Sequence, residues 1–103
     1  SPETNLSTHE KNELRLQLAK LYEDFGETRQ AMSQYDCICD THSDPNVVFE
    51  NADLHFHLAK LYLAENLHIS AGRVLGGFAR KHAMLLSFEA MMFLIDIMYV
   101  YRK

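Results

Sequence analysis

Leu18–Tyr22 and Leu58–Tyr62 carry the same five letters, LAKLY, forty residues apart. Shifting the chain by forty residues extends the agreement in both directions. Leu14 falls on Leu54, Leu16 on Phe56, Ala31 on Ala71, Tyr35 on Leu75, Ile38 on Phe78 and His42 on His82. Gly26 falls on Asn66, and these two residue types best tolerate the left-handed backbone that stops a helix. Agreement in the apolar rows, the small residue and the helix stop points to a duplicated structural unit.

Each copy reads as two helices. Leu14, Leu18, Leu21, Tyr22 and Phe25 lie at helical spacing and form an apolar stripe, expected to face the core. Ser7 and Glu10 make a capping box at its start. The first helix is therefore predicted over 8–25. A second, over 28–41, carries Ala31, Met32, Tyr35, Ile38 and Cys39. The polar segment THSDPN, Thr41–Asn46, is the connection. The second copy predicts helices over 51–65, with Leu54, Leu58, Leu61 and Tyr62 inward, and over 68–82, with Ala71, Leu75, Phe78 and Ala79 inward. Gly76 and Gly77 cost that last helix roughly 1 kcal/mol each relative to alanine. Close approach of another helix would explain them.

These units resemble tetratricopeptide repeats. The pattern reads Leu18, Ala19, Tyr22, Gly26, Ala31, Tyr35 in the first copy and Leu58, Ala59, Tyr62, Asn66, Ala71, Leu75 in the second. The resemblance covers about residues 12–82. The unit is 40 residues long where the family has about 34, with the surplus in Thr41–Asn46. Arg15 and His55 stand where the family has an aromatic. The resemblance implies an all-α, right-handed solenoid of antiparallel helix pairs. With about five helices, it would hold repeat one at 8–41, repeat two at 51–82 and a last apolar helix at 84–102 that opens a third repeat. It also implies a partner-binding concave face lined by Leu16, Lys20 and Glu23, with Asp24, in one unit and Phe56, Lys60 and Leu63, with Ala64, in the next, with packing of Leu16 and Phe56 on a neighbouring helix as the equal alternative. Members that clamp a C-terminal carboxylate carry a basic residue at the place of Leu16 and Asn at that of Lys20, so this chain is not expected to be such a clamp.

Met84–Tyr101, MLLSFEAMMFLIDIMYVY, contains only Ser87, Glu89 and Asp96 as strongly polar residues. Two acids seven apart share one narrow helical face and make a membrane span expensive. Burial by a neighbour is the better account, and Phe88, Met92, Ile95 and Tyr99 are the candidate self-association residues, in a possible homodimer.

The composition narrows the function classes. Of 103 residues, 48% are hydrophobic and 23% charged, which is ordinary for a globular domain. Residues 1–55 hold eleven acids against four bases, −7, and residues 56–103 hold three against six, +3. This polarity can steer head-to-tail assembly, although differently solvated faces are the simpler account. Six scattered bases make no nucleic-acid groove. Cys37 and Cys39 diverge on a helix and suit neither a mutual disulfide nor a zinc site, so they predict reduced thiols in an intracellular, cytoplasmic or nuclear protein. No secretory signal is visible, and the Ser1–Pro2 start without Met reads as a cut from a longer chain. His55 and His57 also diverge, and no phosphate loop, nucleophile elbow or paired-carboxylate motif occurs, so no metal, cofactor or catalytic residue is expected. The sequence thus favours a non-catalytic scaffold or adaptor that binds a protein or peptide. The alternative is a helical bundle with a histidine-containing metal or enzymatic site.

Overall fold

The computed structural model describes residues 6–40 and 51–100, and every described regular element is helical. The helices are α1 (Thr8–Asp24), α2 (Thr28–Asp40), α3 (Ala52–Ala64), α4 (His68–His82) and α5 (Phe88–Val100), with a 3-10 turn at Ala83–Leu85 before α5. They fall into two compact units, Ser1–Phe49 and Glu50–Lys103. The expected connection Thr41–Asn46, His42 and Tyr101 lie outside the described residues.

In the first unit α1 and α2 form a helical hairpin. Ser7 Oγ accepts from the Glu10 N–H and Glu10 Oε1 accepts from the Ser7 N–H, both at 3.1 Å, so the expected capping box is present. The bond from the Ser7 backbone N–H first, and then the Ser7 side chain, hold the Glu10 carboxyl below its ordinary pKa. The helix ends where Gly26 adopts φ +77°. There the Gly26 N–H donates to Glu23 O and the Glu27 N–H to Tyr22 O, the paired bonds of a Schellman termination.

The rotation of α1 differs from the expectation. Leu14, Leu18, Leu21 and Phe25 are not inward; they are 40 to 79% exposed. The face against α2 is instead the row Asn12, Leu16, Ala19 and Glu23, of which Asn12 and Ala19 are buried and the other two half-buried. Both rows have spacing four, three, four, so periodicity alone fits either. Two features explain the choice. Ala19 and Ala31, both fully buried, are small enough to let the helices approach closely. Tyr35, on α2, donates from its hydroxyl to Glu23 Oε1 at 2.5 Å and so fixes which side of α1 turns inward.

The second unit repeats the arrangement. Its Schellman termination has Asn66 at φ +62°, with the Asn66 N–H on Leu63 O and the Leu67 N–H on Tyr62 O, both at 2.9 Å. The row of α3 that corresponds to the inner row of α1 is Ala52, Phe56, Ala59 and Leu63. Phe56 and Ala59 belong to one apolar cluster with Ala71 and Leu75 of α4 and Ala90, Leu94 and Ile97 of α5, and Leu63 packs against it. The other row of α3 is closed as well: Leu54 and Leu58 are buried and Leu61 half-buried.

The expected helix over 84–102 begins later. Ser87 Oγ accepts from the Ala90 N–H at 3.1 Å and caps α5. Thirteen residues rise about 20 Å, against about 30 Å of hydrocarbon. No helix among the described residues is long and apolar enough to cross a membrane. The glycines of α4 face α5 in part. A Cβ at Gly72 would sit 3.5 Å from Ile97 and one at Gly76 would sit 3.9 Å from Leu94, while Gly77 has nothing within 4 Å. Close approach therefore involves Gly72 and Gly76, and Gly77 is only a helix weakener.

Two outcomes follow for stability. Gly77→Ala should stabilise the second unit by up to about 1 kcal/mol, measured by thermal or denaturant unfolding, because it removes a helix penalty without a clash. Tyr35→Phe should cost about 1–2 kcal/mol, since it leaves half-buried Glu23 without its phenolic donor. Burial, then the bond to Glu23, then the charges of Glu23 and Asp24 raise the Tyr35 pKa above its ordinary value. The folded chain thus holds this proton more tightly than the unfolded chain does. The stabilisation is complete below about pH 10 and fades as the pH rises above it, so Tyr35→Phe should also flatten the alkaline loss of stability.

Candidate functional site

The eight residues expected on a concave face do not share one character, Asp24 and Ala64 being exposed. Lys20 is exposed on α1, but Leu16 and Glu23 are half-buried in the inner row, and Glu23 is engaged by Tyr35. Phe56 is only 8% exposed and meets Phe93 of α5 edge-on, with ring centroids 5.4 Å apart. Leu63 packs on the same cluster. Lys60 is exposed, with its Nζ 4.3 Å from the centroid of the Phe56 ring, a cation–π contact that caps the core. Phe56 and Leu63 are therefore core residues of the second unit. The reason is the rotation described above: the positions read as outside the core are the ones the first helix of each hairpin turns towards the second.

The candidate self-association residues all lie on α5. Phe88, Met92, Ile95 and Tyr99 run along the outer side of α5, 39 to 82% exposed, opposite Ala90, Leu94 and Ile97, which are buried. Met98 and Val100 on the same helix, and Met84 and Leu85 before it, are exposed too. Glu89 and Asp96, one residue on from Phe88 and Ile95 and so about 100° around the helix, lie along one edge of this row and are exposed. Sequence reasoning missed the second open row, Leu14, Leu18, Leu21 and Phe25 on α1. The signal was in the repeat, because Ala19 and Ala31, like Ala59 and Ala71, mark where helices approach.

His55 lies in the core. His55 is 1% exposed, with Nδ1 2.7 Å from the backbone oxygen of Asn51 and its ring 4.4 Å from that of Phe78. Phe78 in turn meets His82 at 5.3 Å. Among the described residues no group of three or more His, Cys, Asp or Glu is arranged to hold a metal ion. Cys37 is exposed and Cys39 buried, and neither is in a disulfide. Burial, with Asp36 and Asp40 nearby, pushes the Cys39 pKa up to about 12.

No protein-family model, curated protein or solved structure matches the chain.

The thiols provide a direct check of this geometry. Since only thiolate reacts, an aromatic disulfide reagent at pH 8 should titrate one thiol in the native protein and two in guanidinium. Cys37→Ser should abolish the fast native reaction and Cys39→Ser should leave it intact.

Proposed function

We propose that the chain is a tetratricopeptide-like interaction module: a non-catalytic scaffold or adaptor that binds a protein helix or peptide and associates with itself through α5. The observation that carries this reading is the open row Phe88, Met92, Ile95 and Tyr99. A row of four large apolar side chains on one helix is an interaction surface more often than an idle one. Its spacing of four, three, four is the seam by which helices pack side by side. Covering it removes apolar area from water, worth roughly 25 cal/mol per Å² before the ordering costs of association. The two hairpins, matched in their terminations and in the buried alanines Ala19, Ala31, Ala59 and Ala71, support the repeat reading that makes such a seam a stacking surface. An exposed thiol at Cys37 suits a reducing cytoplasmic or nuclear setting.

Light scattering across a concentration series tests the reading. The wild-type mass should rise with concentration, and Met92→Glu with Ile95→Glu should return it to that of one chain while helicity by circular dichroism is kept. Unchanged association in the double variant would remove α5 as the interaction surface.

A further inference from the structure

We draw no further inference here: the strongest candidate, the open apolar row Leu14, Leu18, Leu21 and Phe25 along the outer side of α1, carries nothing because nothing in the structure shows what covers it.

Discussion

The side of α1 that turns towards α2 determines what the rest of the first unit can do. Four apolar residues at helical spacing would ordinarily be the buried side. Here they lose to a row that holds one polar and one acidic residue among four, Asn12, Leu16, Ala19 and Glu23. The advantage of the inner row is geometric. Ala19 and Ala31 are fully buried, and the three-residue connection through Gly26 ends α1 in a rigid termination that restricts its azimuth. The Tyr35 hydroxyl on Glu23 then makes the carboxylate a satisfied group. Rotating α1 to bury Leu14 and Leu18 would force large side chains between the helices and break that bond. The exposure of the outer row follows from the closeness of the pair.

The second unit reaches the same rotation without the polar bond. Its inner row, Ala52, Phe56, Ala59 and Leu63, is wholly apolar, and Ala59 and Ala71 again supply the close approach. Phe56 extends the row far enough to reach α5, where it meets Phe93, while Lys60 covers the ring from the solvent side. On the far side, Gly72 and Gly76 let Ile97 and Leu94 settle against α4. With Ala90, Leu94 and Ile97 committed there, the opposite side of a helix that is apolar nearly all round has to remain open.

Helix existence, caps and stops were legible in the sequence because each has a local chemical signature. The Ser7–Glu10 box and the left-handed Gly26 and Asn66 depend on residues within a few positions of one another. The rotation of α1 was not legible from one copy, since both rows satisfy the helical period. It was latent in the repeat: the row that is mixed in the first copy is apolar in the second, and a surface meant for water would not become Phe56 and Leu63. Ser87 as the start of α5 was hidden by the apolar run on both sides of it, where a single hydroxyl carries little weight. The outer side of α5 was legible because its row is interrupted by nothing, and the fates of Leu16 and Phe56 were not, because they depend on the rotation.

An apolar seam supplies attraction without direction, and a chain with two such seams has more ways to associate wrongly than rightly. The sparse charges beside the seams carry information out of proportion to their energy. Glu89 and Asp96 stand on one edge of α5 and oppose each other whenever two copies of that helix pair antiparallel. Weak surface charges of this kind specify partners while apolar contact supplies affinity.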